Sequence, residues 1–347
     1  AAPWRLDGPN GYLVTGTGDA GLLVSDEGDY TLTWLPVPGW SSPAPSVVTA
    51  TVSATGAPPA FAGVYTNPPF VTAGGGSVGD TGAGRGVTLV DVDNDGDLDI
   101  YICNRGSANR LLRNDGGLSF TDIATGLLAD AGPTMSAAWG DMDGDGDQDV
   151  YLTRDLQANF LLANDGTGVF TNIAQFGVED AGAGRAAAWC DHDGDGLLDI
   201  FLVNNGTASQ IFRSLGNIGF GAFTFFPQVI AALQTVGAGN AAPWADSDGD
   251  GDQDVYRVMS WQANQMVLNA GGTAYFNSGL MANGSSGQAA AWGDLDNDGD
   301  LDLYLVNDGQ ADVCYRNDGA YFSTLEGPAL GDAGPGRGLA MADLDND

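Results

Sequence analysis

Short apolar segments and polar turns alternate in a constant order from residue 82 onward. In each unit, a small apolar segment leads into an acidic loop, and a segment with β-branched and aromatic residues follows, such as LDIYIC, QDVYLT or LDIFLV. A polar turn and two further short segments complete the unit. Alternation of this kind, bounded by Gly, Asn and Asp, predicts β-strands. Each unit is therefore predicted to form four short strands.

The acidic loops show that these units are a true repeat. Successive loops start 50, 50, 55, 48 and 49 residues apart, at Asp91, Asp141, Asp191, Asp246, Asp294 and Asp343. Four-stranded units at this period describe the blades of a β-propeller, whose radial closure leaves few exposed sheet edges. The predicted fold is all-β, a β-propeller of seven four-stranded blades, with an acidic loop between strands 1 and 2 of most blades.

A single propeller domain is predicted for residues 1–347. Residues 82–337 would form five acidic-loop blades, and residues 31–81 a degenerate blade that lacks the loop. Residues 5–23 match the outer strand of a blade, and residues 338–347 begin one and stop within its loop. We predict that these two segments share a closing blade. An open ring, or closure by a neighbouring molecule, remains an alternative.

The acidic loop has the pattern D-x-D-x-D-G-x-x-D. Positions 1, 3, 5 and 9 offer carboxylates, Gly at position 6 permits a sharp bend, and position 7 can offer its backbone carbonyl. Such a set supplies the six to eight oxygen ligands that Ca²⁺ prefers, whereas Mg²⁺ retains its waters and softer metals prefer thiolate or imidazole. A solvated charged turn is the alternative, but so many neighbouring carboxylates repel one another without a cation. The pattern therefore predicts calcium.

Five to six calcium ions are expected, and six would offset twelve of the 34 formal negative charges. The incomplete last loop contributes only Asp343, Asp345 and Asp347. The predicted ligands of the complete loops are Asp91, Asp93, Asp95, Asp97 and Asp99; Asp141, Asp143, Asp145, Asp147 and Asp149; Asp191, Asp193, Asp195, Leu197 and Asp199; Asp246, Asp248, Asp250, Asp252 and Asp254; and Asp294, Asp296, Asp298, Asp300 and Asp302.

These loops and their flanking strands resemble the FG-GAP or VCBS repeat family, which includes the calcium-binding propellers of integrin α-subunits. The resemblance is strong over residues 82–347 and weak over residues 5–81. It implies that calcium ions join strand 1 to strand 2 on one face. Ligands would meet the opposite face, which the loops joining strands 2 to 3 and 4 to 1 build. Propellers serve adhesion, sugar binding and sometimes catalysis, so the resemblance does not choose among them.

Tryptophan, histidine and cysteine positions add four expectations. Trp40 and Trp261 break the repeat period and are the candidate ligand-binding residues. His192 stands at position 2 of its loop and is expected to be an exposed spacer. Tryptophans two residues before an acidic loop are expected to pack between blades: Trp139, Trp189, Trp244 and Trp292. The cysteines are expected to be small buried residues: Cys103, Cys190 and Cys314.

Composition excludes several classes of partner and argues against catalysis. A net charge of −34 with scattered Arg and no Lys argues against nucleic-acid and anionic-membrane partners. No apolar run is long enough to span a bilayer. One histidine, no Lys and the lack of hydrolase motifs argue against catalysis, so no catalytic residue is assigned and an enzyme is not expected.

The predicted function is a secreted or cell-surface, calcium-stabilised binding or adhesion module for a glycan or an extracellular protein. Extracellular calcium suits loops of modest affinity. A first alternative is a structural subunit of a surface layer or filament, which would self-assemble. A weaker alternative is a propeller-type enzyme that degrades polysaccharides.

Overall fold

The computed structural model divides the chain into two compact units, Ala1–Ala73 and Gly74–Asp347. The residues that the structure describes are 3–11, 13–17, 28–35, 47–52, 78–116, 119–174, 177–217, 223–234, 236–319, 321–325 and 334–339.

The unit Ala1–Ala73 contains one antiparallel sheet, and alternate residues of its two central strands form an apolar core. Its strands lie in the order β2-β1-β3-β4. Trp4, Leu6, Tyr30 and Leu32 are buried together, as the period of two along a strand requires. The strands are β1 (Pro3–Asp7), β2 (Leu13–Thr17), β3 (Gly28–Trp34) and β4 (Val47–Val52).

Strand β1 pairs with β3, which departs from the predicted use of residues 5–23 in a closing blade. Leu6 lies opposite Leu32 and Trp4 opposite Trp34, so both apolar faces are buried within one sheet. Cross-strand contacts of this kind decide which strands pair, and they depend on residues that are distant in sequence. The residues 36–46, 53–77 and 340–347 of the predicted degenerate and closing blades lie outside the described part of the chain. The single-domain layout stays a prediction.

The unit Gly74–Asp347 contains five four-stranded antiparallel arrays, one for each complete acidic-loop repeat, which confirms the predicted four strands per repeat. We name them sheets I to V. Sheet I has β5 (Gly84–Val90), β6 (Asp99–Asn104), β7 (Arg110–Asn114) and β8 (Phe120–Asp122). Sheet II has β9 (Thr134–Gly140), β10 (Asp149–Arg154), β11 (Phe160–Asn164) and β12 (Phe170–Asn172). Sheet III has β13 (Gly184–Cys190), β14 (Asp199–Ala208), β15 (Gln210–Asn217) and β16 (Phe223–Gln228).

Sheet IV differs because its first strand is interrupted before Trp244. Pro243 has no N–H group to donate, so the strand is divided there into two pieces. Sheet IV has β17 (Val236–Ala241), β18 (Trp244–Ala245), β19 (Asp254–Ser260), β20 (Gln265–Ala270) and β21 (Ala274–Asn277). Sheet V has β22 (Gly287–Gly293), β23 (Asp302–Asn307), β24 (Val313–Asn317) and β25 (Phe322–Leu325).

The first strands of neighbouring sheets contact one another, from β5 through β9 and β13 to β17 and β22. Their Gly and Ala residues permit this approach: a Cβ atom at Gly86 would lie 3.1 Å from the carbonyl oxygen of Met135. The second strands are the most deeply buried, and every residue of β10 is buried. The core therefore lies between consecutive sheets, with the second strand of each sheet covered on both faces.

The periodic tryptophans connect each sheet to the preceding one, as predicted. Nε1 of Trp139 donates to Oγ1 of Thr88 at 3.1 Å, and Nε1 of Trp189 donates to the carbonyl of Ala138 at 3.0 Å. Trp292 likewise bonds the carbonyl of Pro243 at 3.3 Å. The ring of Trp244 meets that of Phe201 edge to face, with centroids 5.4 Å apart.

Sheets III and IV are joined into one continuous sheet. The end of β14 pairs with β17, through Asn205 with Ala238 and Ala208 with Val236. Strands β14 and β15 have 10 and 8 residues and belong to the longest repeat. Strand β14 is long because it continues through the turn before β15, where Asn205 and Ala208 pair with β17.

Two further observations bear on the sequence predictions. The three cysteines are buried and unpaired, which confirms their reading as small core residues: Cys103, Cys190 and Cys314. Within the described part of the chain, no helix has both the length and the apolar character needed to cross a membrane.

Candidate metal sites in the acidic loops

Each acidic loop joins strand 1 to strand 2 of its sheet, and the carboxylate at position 1 shapes the turn. In sheet I, Oδ1 of Asp91 accepts the N–H of Asp95 at 3.1 Å and Oδ2 accepts the N–H of Gly96 at 3.0 Å. Asp95 in turn accepts the N–H of Asp97 at 2.9 Å. Closely similar bonds recur in the other four loops, whose position 1 residues are Asp141, Asp191, Asp246 and Asp294.

Glycine at position 6 has a left-handed backbone in all five loops. Its φ is 91° at Gly96 and 96° at Gly251, in the region that residues with a Cβ rarely adopt. This conformation turns the position 6 N–H back toward the carboxylate at position 1. The glycine thus makes the compact loop possible.

The aspartate at position 9 is buried and connects three strands. In sheet I, Oδ2 of Asp99 accepts the N–H of Val92 at 2.9 Å, and Oδ1 accepts the N–H of Asn114 at 2.7 Å. Asp99 itself begins strand 2, Val92 follows strand 1, and Asn114 ends strand 3. The same two bonds are made by Asp149, Asp199, Asp254 and Asp302.

The loops bring carboxylates together at the predicted positions. In each cluster, one oxygen from every residue lies within 4.8 Å of the others. The clusters include positions 1, 3 and 9 in two loops and positions 1, 3 and 5 in two others: Asp91, Asp93 and Asp99; Asp141, Asp143 and Asp149; Asp191, Asp193 and Asp195; and Asp246, Asp248 and Asp250. These four positions are the ones predicted to bind metal through their side chains.

Position 7 directs its side chain toward other groups. Oδ2 of Asp252 accepts the N–H of Gly271 at 2.5 Å, and Oδ1 of Asp147 accepts Nδ2 of Asn94 at 3.0 Å. A cation would therefore use the position 7 carbonyl, which agrees with Leu197 at this position. The predicted ligands Asp343, Asp345 and Asp347 lie outside the described residues.

Burial and mutual repulsion make these carboxylates hard to ionise. Burial, and then the charge of Asp145, raise the pKa of Asp143 above its usual value. Burial raises the pKa of Asp149 to about 6, although backbone N–H groups of Asn164 and Met142 oppose this shift. A divalent cation would remove the repulsion, and the donors are all hard oxygen atoms. The residues present therefore fit a calcium ion.

Arginines on strand 3 supply part of the compensating charge, and sequence reasoning missed them. Nη2 of Arg213 lies 2.8 Å from Asp195, and its Nε contacts Asp193. Arg113 and Arg316 occupy the same strand position, at 4.0 Å from Asp93 and 3.9 Å from Asp296 respectively. Each of these arginines stands 22 residues after position 1 of its loop, and this recurrence could have indicated the role.

His192 is buried, so the expectation of an exposed spacer is wrong. Its Nδ1 contacts Asp199, and its Nε2 lies 2.7 Å from Oε1 of Gln228. Its carbonyl accepts Nδ2 of Asn269 at 2.9 Å and the hydroxyl of Tyr275 at 2.8 Å. Position 2 faces inward in four of the five loops, where it alternates with the more exposed positions 1 and 3. Three of its four equivalents are also buried, Val92, Met142 and Ser247, whereas Leu295 is exposed.

Burial disfavours protonation of the His192 ring, but the hydrogen bonds and charge of Asp199 outweigh it and raise the pKa of His192. The histidine therefore has a structural role in connecting sheets III and IV.

Of the two predicted ligand-binding residues, Trp40 lies outside the described residues. Trp261 lies in the turn between β19 and β20, and 86% of its surface is exposed. This turn leaves the end of strand 2 that is remote from the acidic loop. Trp261 is thus at the opposite edge of sheet IV from the carboxylate cluster.

The repeats match those of a known family. The FG-GAP-like repeat family matches residues 91–152, 141–202, 191–257, 246–305 and 294–347. The chain belongs to this family. The matches confirm the resemblance inferred from the acidic loops, and they cover all six of them. No protein of curated function matches the chain.

Three solved structures are similar to this FG-GAP repeat protein. The BP39L lectin from Burkholderia pseudomallei has 15% identity and a TM-score of 0.51, over 83% of this chain and 77% of the lectin. The V. cholerae biofilm matrix protein Bap1 has 18% identity and a TM-score of 0.38, over 65% of this chain. An auxiliary nutrient binding protein from Bacteroides ovatus has 13% identity and a TM-score of 0.43, over 73% of this chain.

The chain spans 34% of the length of Bap1 and 61% of the nutrient binding protein. Likeness at these identities concerns the fold alone. Together with the strand topology and the family match, the likeness to the lectin shows an all-β, propeller-like fold built from repeated four-stranded sheets.

Proposed function

We propose that this FG-GAP repeat protein is a secreted or cell-surface binding module, held together by calcium, that recognises a glycan or an extracellular protein. The observation that carries the proposal is the recurrence of one carboxylate-rich loop, with one hydrogen-bond scaffold, at the same edge of five sheets. The proposed ring has seven blades, of which the described residues supply six four-stranded arrays.

Calcium would be held by the carboxylates at positions 1, 3, 5 and 9 and the carbonyl at position 7. In sheet I these are Asp91, Asp93, Asp95, Asp99 and the backbone of Asp97. The ion would supply positive charge that lets all four carboxylates ionise together. Because the position 9 side chain already bonds the N–H groups of Val92 and Asn114, stabilising it would also stabilise the junction of strands 1, 2 and 3.

Five complete loops and the incomplete loop at Asp343 account for the proposed five to six ions. Extracellular calcium would keep such loops occupied, whereas the same loops would be largely metal-free in a calcium-poor compartment. This dependence supports an extracellular location for the folded protein.

The binding face would be the edge opposite the acidic loops. That edge exposes the turns between strands 2 and 3, including the turn that carries Trp261. Trp40 is a second proposed contact. BP39L, whose fold is similar, is a lectin, and this supports a glycan as one class of ligand.

The proposal assigns no catalytic residue. The chain has no Lys. Its one histidine is buried, and its hydrogen bonds connect two sheets. The acidic residues of the loops are occupied in shaping turns and in the carboxylate clusters. Binding is therefore better supported than the hydrolase or lyase alternative.

A glycan-array screen of the purified protein in millimolar calcium tests the proposal, with a second array in excess chelator. Hits that require calcium would establish a lectin. Binding that persists without calcium would contradict a calcium-stabilised module. A blank array, together with concentration-dependent assembly in light scattering, would instead favour the structural subunit of a surface layer.

A further inference from the structure

The turns between strands 2 and 3 share one backbone conformation. A side chain five residues further along accepts an N–H at the end of strand 2, as Asn109 does for Asn104 at 2.8 Å and Asn264 for Met259 at 2.7 Å. Sheets II and V have the same bond. Two residues after that N–H, every turn has a left-handed residue, with φ of 58° to 83°: Gly106, Leu156, Gly206, Trp261 and Gly309.

Glycine suits this position, and three sheets have it. Leu156 and Trp261 adopt the same conformation with a Cβ, which then crowds the backbone carbonyl. Other non-glycine residues with positive φ are either asparagine, which tolerates it, or the buried Met281. Among the described residues, Leu156 and Trp261 alone combine backbone strain with an exposed apolar side chain.

Packing of the Trp261 side chain does not offset its backbone strain. The indole is 86% exposed, so its burial contributes little to the stability of sheet IV. Both the left-handed backbone and the solvent exposure of Trp261 are unfavourable. Contact with a ligand would explain why tryptophan occupies this position, since strained positions of this kind concentrate at binding sites.

The surroundings of Trp261 indicate the class of ligand. Its turn is uncharged, with Gln262 and Ala263 exposed beside it. Next to it in the chain, Oγ of Ser260 accepts Nδ2 of Asn240 at 2.5 Å and Nε2 of Gln288 at 3.4 Å. The nearest charge in this network is Arg337, which donates to Oε1 of Gln288 at 3.2 Å and is itself paired with Asp308. An aromatic face beside neutral amides and hydroxyls suits the apolar C–H face and the hydroxyl groups of a sugar ring. The chain's charge of −34 disfavours anionic glycans.

Resting on the proposed function, we infer that Trp261 stacks on a neutral saccharide and is kept in its strained turn for that contact. The turn of Leu156 differs because it adjoins an ion pair, Arg105 with Asp155 at 2.7 Å. Asp155 stands directly before Leu156, whereas the residues on both sides of Trp261 are uncharged, so the saccharide site belongs to sheet IV.

The test is Trp261→Gly in the full chain with calcium. The expected result is at least a roughly tenfold loss of affinity for a neutral saccharide, as for removal of an exposed aromatic anchor. The melting temperature should stay unchanged or rise by up to about 2 °C, because glycine relieves the strain. Affinity is measured by calorimetry with methyl glycosides of glucose, galactose, mannose and N-acetylglucosamine. Trp261→Phe keeps an aromatic face and should retain part of the affinity.

Leu156→Gly is the matched control, since it relieves the same backbone position two sheets away. It should match Trp261→Gly in thermal stability and leave saccharide affinity unchanged. Unchanged affinity in Trp261→Gly, or a melting temperature several degrees lower, would overturn the inference and indicate a structural tryptophan. If the native protein binds anionic glycans alone, the inference fails and the proposed function stands. If it binds no glycan on the array, glycan recognition fails as well.

Discussion

The two edges of the five sheets follow opposite rules. At the acidic-loop edge, side chains are nearly the same in every repeat, and most of their oxygen atoms accept a backbone N–H or belong to a carboxylate cluster. At the opposite edge the backbone of the strand 2–3 turn is the same, but its left-handed residue changes among Gly, Leu and Trp. At the first edge the exposed side chains repeat within the chain, whereas at the second the buried Asn or Asp cap repeats in four sheets and the exposed side chain varies.

This difference assigns the two edges different roles: the acidic-loop edge stabilises the fold, and the opposite edge is available for contact with a ligand. Residues at the acidic-loop edge depend on one another, because each carboxylate needs its N–H donors and a compensating charge. Turn residues at the opposite edge point into solvent and can change without disturbing the sheet. Substitutions at the two edges should therefore have different consequences, which the following experiments compare.

Removal of calcium should have the largest effect. Excess chelator is expected to lower the melting temperature by tens of degrees, because several clusters of repelling carboxylates would lose their cations at once. Differential scanning calorimetry with and without chelator measures this shift, and added calcium should restore the original transition. An unchanged melt in excess chelator would contradict the calcium assignment.

Loss of a single position 9 carboxylate should be the next largest effect. Asp149→Asn is expected to lower the free energy of unfolding by about 2–4 kcal/mol, since the N–H groups of Met142 and Asn164 lose a charged acceptor. Urea denaturation in the presence of calcium measures this change in the free energy of unfolding. Asp97→Asn, at position 7, is the control and should change stability by less than about 0.5 kcal/mol. Equal losses in both variants would show that position 9 has no special role.

Tyr151→Phe should have a moderate effect at the opposite edge. The Tyr151 hydroxyl donates to the carbonyl of Val178 at 2.6 Å and accepts Nδ2 of Asn159 at 3.0 Å. Removing it is expected to cost about 1–2 kcal/mol, because Asn159 keeps a buried unpaired donor.

Sheet III provides the comparison, since Phe201 occupies the position of Tyr151 and Ser209 the position of Asn159. The double variant Tyr151→Phe with Asn159→Ser should therefore lose less than the sum of the two single variants. Strict additivity in urea denaturation would refute coupling between these side chains.

The smallest expected effect is that removal of calcium reverses the pH dependence of thermal stability. In the metal-free protein the pKa of Asp149 is raised to about 6, above its unfolded value of roughly 4. Ionising Asp149 therefore disfavours the fold, and stability is lost as the pH rises from about 4 to 6.

Metal-free protein should accordingly melt a few degrees higher at pH 5 than at pH 7.5. Calcium-loaded protein should show the opposite order, because protons compete with the ion for the carboxylates. Thermal melts at the two pH values, with and without chelator, make the comparison. The same order in both states would contradict the assignment of the carboxylates as ligands.

Much of the acidic-loop edge could be predicted from the chain. The spacing of Asp91, Asp93, Asp95 and Asp99 with Gly96 is local, and so is the turn that it forms. His192 was misjudged because its side chain was considered alone. The buried equivalents at Val92 and Met142 would have shown that position 2 faces inward.

The opposite edge was predicted less well. The broken period singled out Trp261, but it did not indicate a left-handed backbone at that residue. Its register with Gly106 and Gly206 could have been read from the sequence, because each of the three stands 15 residues after position 1 of its acidic loop. The interaction of Arg213 with Asp193 and Asp195 depends on strand 3 returning beside the loop.

The sequence by itself determined the repeat, the four strands in each unit and the acidic loops, because strand alternation and loop spacing involve residues only a few positions apart. The tertiary structure decided that β1 pairs with β3, that β14 extends onto β17, and that His192 is buried between two sheets. Each of these outcomes depends on contacts between residues that are distant along the chain. Local patterns leave several strand pairings equally possible, and burial of apolar surface and hydrogen bonding of buried polar groups select among them.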